Sequence, residues 1–252
     1  MSDKVIWDTV APVYETEVFD VYKSDKKGIL KKMVLSHADK TGLAIDFGCG
    51  LGKALPMLSP LFKEIVAVDV SQNLLDIAQK RNFKNVRLEQ ADLAEKKVQL
   101  PKAEFVLCVN VSISSDNVRN YQMLKNALNA LKPGGVAVFV LPSQESVSFA
   151  TWLLINMYQK EGVKFPDIPK SEINHLSPEF HHFFKDGIIN IDETPTKHYL
   201  FTEIVSFFNT EKFQIQTIDR IEYDWGTELD QLPKNIKAPN PWDWMVEVKR
   251  VG

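Results

Sequence analysis

The segment Leu43–Leu58, LAIDFGCGLGKALPML, is the strongest indication of the fold in this chain. An apolar run typical of a buried strand ends at Phe47, and Asp46 stands two residues before the first of three alternate glycines, Gly48, Gly50 and Gly52. In a parallel sheet, ligands bind at the carboxyl ends of the strands, where glycine permits positive φ and close approach to the backbone. The helix that follows offers unpaired N–H groups. We therefore expect a ligand-binding loop here rather than a simple turn.

Strands and helices alternate on the carboxyl side of this loop. Strand-like runs lie at 64–70, 85–90, 104–111 and 136–141, and helix-like runs lie at 53–62, 71–82 and 117–131, the second of them opening with Ser71 as a predicted N-cap. This alternation indicates a parallel sheet covered by helices on both faces. Two later runs, 213–225 and 242–251, have no helix between them and predict an antiparallel pair at the edge of the sheet.

The spacing of the glycines separates two classes of ligand. A dinucleotide loop has the pattern G-x-G-x-x-G, but Lys53 and Ala54 stand where its third glycine would fall. The sequence instead has D-x-G-x-G-x-G, which resembles the first motif of class I S-adenosylmethionine-dependent methyltransferases. The resemblance covers residues 40–142 and, by pattern, the last two strands. LKPGG before the fifth strand also matches that family, and we interpret it as a structural turn.

Acids after the next strands extend the resemblance. Asp69 follows Gly52 by seventeen residues, where a carboxylate can accept both hydroxyls of a ribose; an NAD enzyme would place an acid there too. The resemblance implies that Asp92 hydrogen-bonds the adenine amino group and that Asn110 and Val111 line the methionine end. The predicted cofactor-binding set is Asp46, Gly48, Cys49, Gly50, Gly52, Asp69, Val70, Asp92, Leu93, Asn110 and Val111.

Candidate catalytic residues come from both ends of the chain. Near the N-terminus, WDTVAPVYE resembles a segment whose tyrosine closes over the cofactor, and Trp7 and Tyr14 are spaced to share a helix face. Residues 143–201 have no place in the sheet and hold nine aromatic residues and four of the five histidines, at positions 175, 181, 182 and 198. An imidazole near a methyl acceptor can act as a base, so His198 and Tyr199 rank with Tyr14 as candidates.

Charge and composition narrow the function further. Apolar residues make up 44% of the 252 residues, enough for the core of one α/β domain with an insertion. A net charge of −3 and the sequence NVSIS after the fourth strand, where base-amine methylases carry a D/N-P-P motif, argue against nucleic acid. The sequence has no membrane-length apolar run and no signal-peptide core, which predicts a cytoplasmic protein. Cys49 and Cys108 lack the spacing of metal ligands, so we expect buried thiols and no metal site.

The sequence therefore predicts an enzyme that transfers a methyl group from S-adenosylmethionine to a small-molecule acceptor by in-line displacement, leaving S-adenosylhomocysteine. Its predicted fold is Rossmann-like: seven strands, mostly parallel, helices on both faces, an antiparallel edge strand and a helical insertion between strands 5 and 6. We expect one domain over 1–252: a helical cap (1–40), a cofactor-binding core (41–142), a substrate lid (143–201) and a final helix with two strands (202–252). Two alternatives stay open, an NAD(P)-dependent oxidoreductase or epimerase and a non-catalytic S-adenosylmethionine-binding module. The sequence makes no prediction of the oligomeric state.

Overall fold

The structure is a computed structural model that describes residues 3–169, 185–191, 194–227 and 239–252. The strands are β1 (Asp39–Phe47), β2 (Phe62–Asp69), β3 (Val86–Gln90), β4 (Ala103–Val109), β5 (Leu131–Pro142), β6 (Ile188–Ile191), β7 (Thr194–Lys197), β8 (Phe213–Glu222) and β9 (Trp242–Arg250). The helices are α1 (Asp3–Val10), α2 (Tyr14–Glu17), α3 (Val21–Ser24), α4 (Ile29–Ser36), α5 (Leu55–Leu58), α6 (Gln72–Gln79), α7 (Asn117–Asn129), α8 (Gln144–Lys160) and α9 (Phe201–Phe208).

Seven strands form one sheet in the order β3-β2-β1-β4-β5-β9-β8. The first five strands are parallel, whereas β9 runs antiparallel to both of its neighbours, β5 and β8. The order reverses between β1 and β4, and a sheet of this kind binds ligands at that reversal. The predicted fold class is confirmed, with β8 as the outermost strand of the antiparallel pair.

Alternate residues of the central strands supply the two cores of the molecule. Ile45 and Phe47 of β1 pack with residues of α7 on one face, while Ala44 packs with residues of α4 and α5 on the other. This two-sided burial explains why the central strands have continuous apolar sequences. The predicted N-cap is confirmed, because Ser71 Oγ accepts the backbone N–H of Leu74 at 3.2 Å.

Two local predictions differ from the structure. The helix expected over 53–62 is reduced to the single turn of α5, because Pro60 cannot donate a helical N–H and β2 already begins at Phe62. The turn expected at KPGG lies inside β5, where the pairing steps from Ala103 with Leu131 to Phe105 with Val136. Gly134, at a φ of 80°, absorbs this irregularity.

Residues 143–201 contribute the long helix α8, a 3₁₀ turn at Phe165–Asp167 and an antiparallel hairpin of β6 and β7. The sequence predicts helices and irregular chain here, and the hairpin is an addition to it. The histidines at 175, 181 and 182 lie outside the described residues. In the described part of the chain, no helix is long and apolar enough to cross a membrane.

Candidate active site

The glycine loop is held tightly against the strands that flank it. The N–H groups of Gly48 and Cys49 both donate to the carbonyl of Val68, at 2.8 and 3.0 Å. Gly48 has a φ of 78°, and a Cβ atom there would lie 2.3 Å from the side chain of Val111. Glycine is required because the backbone conformation and the close approach of Val111 both exclude a side chain.

A cavity of about 2360 Å³ opens beside this loop, at the carboxyl edge of the parallel strands. Eleven of the fourteen predicted site residues line it: Tyr14, Gly48, Cys49, Gly50, Asp69, Val70, Asp92, Leu93, Asn110, Val111 and His198. The other three, Asp46, Gly52 and Tyr199, are not among the residues that line the cavity. The structure thus brings residues from both halves of the chain to one place.

Asp69 is fixed by backbone donors on both of its oxygens. Its Oδ2 accepts the N–H of Gly50 at 2.8 Å, and its Oδ1 accepts the N–H of Ser71 at 3.0 Å. Burial raises the pKa of this carboxyl, and the backbone donors oppose that rise. The carboxylate is therefore oriented into the cavity by the loop and by the start of α6.

Asp46 is the residue before the last one of β1, two residues before the first glycine of the loop. It is 3% exposed, and no described residue forms a hydrogen bond with its buried Oδ2. Burial, aided by the charge of Asp69, raises the pKa of Asp46 to about 7. The two carboxylates thus differ in position: Asp69 lines the cavity, and Asp46, although predicted to bind the cofactor, is buried and does not line it.

Asp92 is paired with a residue that the motif analysis missed. Arg119, in the first turn of α7, donates from Nη2 to both carboxylate oxygens at 2.9 and 3.0 Å, and the N–H of Ala94 donates to Oδ1. This arrangement fixes the loop after β3 at the cavity wall. An arginine near the start of the helix after β4 is the sequence signal that could have indicated the pair.

The N-terminal segment lies over the glycine loop. The rings of Trp7 and Tyr14 are 6.1 Å apart, so the predicted contact is present although a 3₁₀ turn separates the two helices. Lys53, from the glycine loop, lies 5.2 Å from the Tyr14 ring centre and 2.9 Å from the carboxylate of Asp20. Burial raises the pKa of the Tyr14 hydroxyl far above its usual value, so the hydroxyl stays protonated.

Sequence analysis also missed Asp243 and Tyr223, which lie beside the predicted residue Asn110. Asn110 has a φ of 51°, an uncommon conformation for a residue other than glycine, and its Nδ2 donates to Asp243 Oδ2 at 3.1 Å. The hydroxyl of Tyr223 donates to the same oxygen at 2.7 Å. Asp243 and Tyr223 line the cavity. The only signal for them was an acid between two tryptophans at the start of an apolar strand, in WDW.

His198 and Tyr199 point to different places. His198 lines the cavity, and its Nδ1 lies 3.1 Å from the carbonyl of Thr196, which requires a proton on Nδ1 and leaves Nε2 as the basic nitrogen of the neutral ring. Tyr199 is 1% exposed, and its hydroxyl donates to the carbonyl of Ser112 at 2.6 Å. The structure therefore places Tyr199 in the core beside the site, where a large apolar ring with one satisfied hydroxyl is a packing residue.

In the described part of the chain, no three His, Cys, Asp or Glu side chains are grouped closely enough to hold a metal ion. Cys49 and Cys108 are buried free thiols, as expected. The strand order, the glycine loop, the acid at the end of β2 and the acid after β3 are together similar to those of the class I S-adenosylmethionine-dependent methyltransferases.

Comparison with known proteins agrees with this class. Residues 44–135, which run from the second half of β1 to the first residues of β5, match the family model described as "Methyltransferase domain". A probable S-adenosylmethionine-dependent methyltransferase of Saccharomyces cerevisiae, CRG1, is 32% identical over 74 residues, and this match spans 29% of the chain and 22% of the relative. Over this segment the chain is therefore similar to methyltransferase domains, and it spans about a fifth of the length of the curated relative.

Solved structures extend the likeness over almost the whole fold. The DhpI–SAM–HEP complex superposes with a TM-score of 0.61 at 14% identity and covers 99% of both chains. The N-methyltransferase NodS of Bradyrhizobium japonicum, solved with S-adenosyl-L-homocysteine, gives a TM-score of 0.58 at 10% identity over 97% of this chain and 98% of that one. These similarities show a shared fold.

Proposed function

We propose that this protein transfers a methyl group from S-adenosylmethionine to a small-molecule acceptor by in-line displacement. The observation that carries the proposal is the convergence of the positive-φ glycine loop, Asp69 and Asn110 on one cavity at the reversal of the strand order. The methyltransferase-domain match over 44–135 and the ligand-bound methyltransferases of the same fold support it.

The residues of the cavity fit the cofactor. Asp69 is oriented to accept the ribose hydroxyls, and the Asp92 loop lies where the adenine would bind. The buried Oδ1 of Asn110 has no hydrogen-bond partner among the residues that the structure describes, which suits an acceptor for the ammonium of the methionine end. A Cβ on Gly50 would approach Tyr14 to 3.0 Å, so the absence of a side chain keeps a cradle open between the loop and the cap.

The cofactor supplies a methyl group that is already activated by a sulfonium charge. The protein must hold the acceptor in line and exclude water, which needs positioned side chains rather than a nucleophilic triad. Tyr14 and Trp7 cover the cavity from the N-terminal side, and α8 covers it from the other. We assign the cover of the acceptor to residues 143–201, and His198 is the candidate within them for orienting the acceptor.

A small acceptor with an apolar body suits the walls of this cavity. The residues of α8 that line it are Ser146, Val147, Ala150, Thr151 and Leu154, which follow the 3–4 spacing of one helix face. Val147, Ala150 and Leu154 make most of this face apolar, and polar groups face the cavity from Ser146, Thr151, β9 and His198. A few polar groups on an apolar wall are typical of a pocket for a small molecule.

The decisive experiment is mass spectrometry of ligand released from the purified protein, followed by incubation with methyl-labelled S-adenosylmethionine and a metabolite extract. We expect S-adenosylhomocysteine or S-adenosylmethionine to be released and label to appear in a small molecule. Binding of NAD(H) without S-adenosylmethionine would overturn the proposal in favour of an oxidoreductase. Tight cofactor binding without transfer to any extract would favour a binding module.

A further inference from the structure

The first residues of β9 lie at the same edge of the sheet as the cofactor loop. Because β9 is antiparallel to β5, its beginning pairs with the end of β5, and Asp243 lies opposite Pro142. The last strand of the chain thereby delivers an acid to the carboxyl edge of the parallel strands.

Asp243 is a buried carboxylate that only neutral groups contact. It is 8% exposed and accepts hydrogen bonds from Tyr223 and Asn110 on Oδ2. Within the described residues, no Lys, Arg or His forms an ion pair with it. Burial of a carboxylate without a cation is costly, which is typical of a group retained for a ligand.

The strand order places Asp243 on the acceptor side of the cavity. From β3 to β4, the sheet presents in turn the sites assigned to adenine, ribose and the methionine end, and Asn110 marks the last of these. The next strands are β5 and β9. A group bonded to Asn110 from β9 therefore lies beyond the methionine end, where the acceptor must approach the methyl group.

We propose that the carboxylate of Asp243 binds the N–H or O–H group of the acceptor that receives the methyl group and takes its proton. This inference rests on the proposed function. The acceptor's nitrogen or oxygen forms a bond to the methyl carbon as the bond from that carbon to sulfur breaks. The electron pair of the broken bond stays on sulfur, and the acceptor's proton passes to Asp243.

The surroundings of Asp243 support a proton-accepting role. Burial raises the pKa of its carboxyl, whereas hydrogen bonds from Tyr223, Asn110 and the Ser143 backbone oppose the rise. A carboxylate of raised pKa is a stronger base than an exposed one. The apolar face of α8 lies on the same cavity, so the acceptor has an amine or hydroxyl group on an apolar body.

Sinefungin tests this assignment without knowledge of the acceptor. In this analogue an amine-bearing carbon replaces the methylated sulfur, so its ammonium points to where the acceptor approaches. We expect the wild-type protein to bind sinefungin at least about tenfold more tightly than S-adenosylhomocysteine in calorimetry. Asp243→Asn keeps the size of the side chain and removes its charge, and should abolish this preference while the affinity for S-adenosylhomocysteine stays within about twofold.

Asp219→Asn is the matched control, because Asp219 is an exposed acid on the neighbouring strand β8 and its loss changes the net charge equally. This variant should keep the preference for sinefungin. If Asp243→Asn does not fold, Asp243→Ser gives the same comparison. If Asp243→Asn weakens the binding of both ligands equally, the inference is overturned in favour of a cofactor-binding role. If the variant keeps the preference for sinefungin, Asp243 does not reach the acceptor position, and the inference is overturned as well. A wild-type protein that binds neither ligand would overturn the proposed function itself.

Discussion

The phenolic oxygen of Tyr14 lies 3.0 Å from the position that a Cβ atom on Gly50 would occupy. The N-terminal cap therefore rests directly on the glycine loop, and the contact joins residues far apart in the chain. Trp7 and Tyr14 pack with Leu51 and Leu74 in a small core of their own. The position of the N-terminal cap and the shape of the glycine loop are therefore coupled where Tyr14 meets Gly50.

Gly50→Val should abolish binding of S-adenosylhomocysteine while the protein stays folded. The φ of Gly50 is 51°, and the added side chain would strain the backbone and fill the space beneath Tyr14. Calorimetry measures the binding, and circular dichroism monitors the fold. Gly134→Val is the matched control, because Gly134 has a φ of 80° and nothing within 4 Å of its Cβ position. Normal binding by Gly50→Val would show that the loop is only a turn.

Asp69→Ala should weaken S-adenosylhomocysteine binding by at least about tenfold. The variant loses two charge-assisted hydrogen bonds to the ribose, each worth roughly 1.5–3 kcal/mol, and the hydrogen bond that orients the N–H of Gly50. Asp76→Ala removes an exposed carboxylate from α6, the helix that follows Asp69, and should bind normally. Equal affinities of the two variants in calorimetry would refute the ribose role.

His198→Ala should lower turnover by about tenfold or more with little change in cofactor affinity, because a group that orients the acceptor contributes to the chemical step and not to cofactor binding. The assay uses labelled S-adenosylmethionine with a panel of small amines, phenols, thiols and carboxylic acids. Full turnover by this variant would remove His198 from the mechanism.

Tyr199→Phe is the matched comparison for His198→Ala, because the two residues are adjacent and only His198 lines the cavity. The sequence predicts a catalytic role for Tyr199, but its hydroxyl bonds to Ser112 in the core. We expect turnover near the wild-type rate and a loss of about 1 kcal/mol in the free energy of unfolding. A tenfold loss of turnover would restore the catalytic role.

Asp46 should make the protein without ligand less stable as the pH rises. The pKa of Asp46 is about 7 in the folded protein and near 3.8 when unfolded, so the folded state binds the proton more tightly between these values. The contribution of the Asp46 carboxyl to the free energy of unfolding is fully present below about pH 4 and is lost as the pH rises through 7. Asp46→Asn removes this loss, so its free energy of unfolding relative to wild type should rise between about pH 5 and pH 8 in urea titrations. A constant difference between the two proteins would contradict the assignment.

The positions of the predicted cofactor-binding residues at the sheet edge could be inferred from the sequence because the signals for them are local. The glycine loop and the acids after β2 and β3 each lie within a few residues of an apolar run, so a pattern in the chain defines both the element and its ligand end. Ser71 was predictable for the same reason, since an N-cap depends on its own helix.

The other contacts around the cavity were harder to infer from the sequence because they join segments that are distant in the chain. Asp243 meets Asn110 across 133 positions, and Arg119 meets Asp92 across 27. His198 and Tyr199 are neighbours with similar signals in sequence, yet one lines the cavity and the other lies in the core. Only tertiary packing decides between two such side chains.

The position of β9 inside the sheet governs the order in which the site can be assembled. β9 pairs with β5 across about a hundred residues of chain, whereas β1 to β4 pair with strands made much earlier in synthesis. On the ribosome, the part of the cavity formed by β1 to β4 can therefore assemble before residues 242–250 emerge. On the proposed function, a nascent chain would acquire its cofactor loop before the carboxylate of Asp243, and it would become competent for methyl transfer only after β9 has paired with β5.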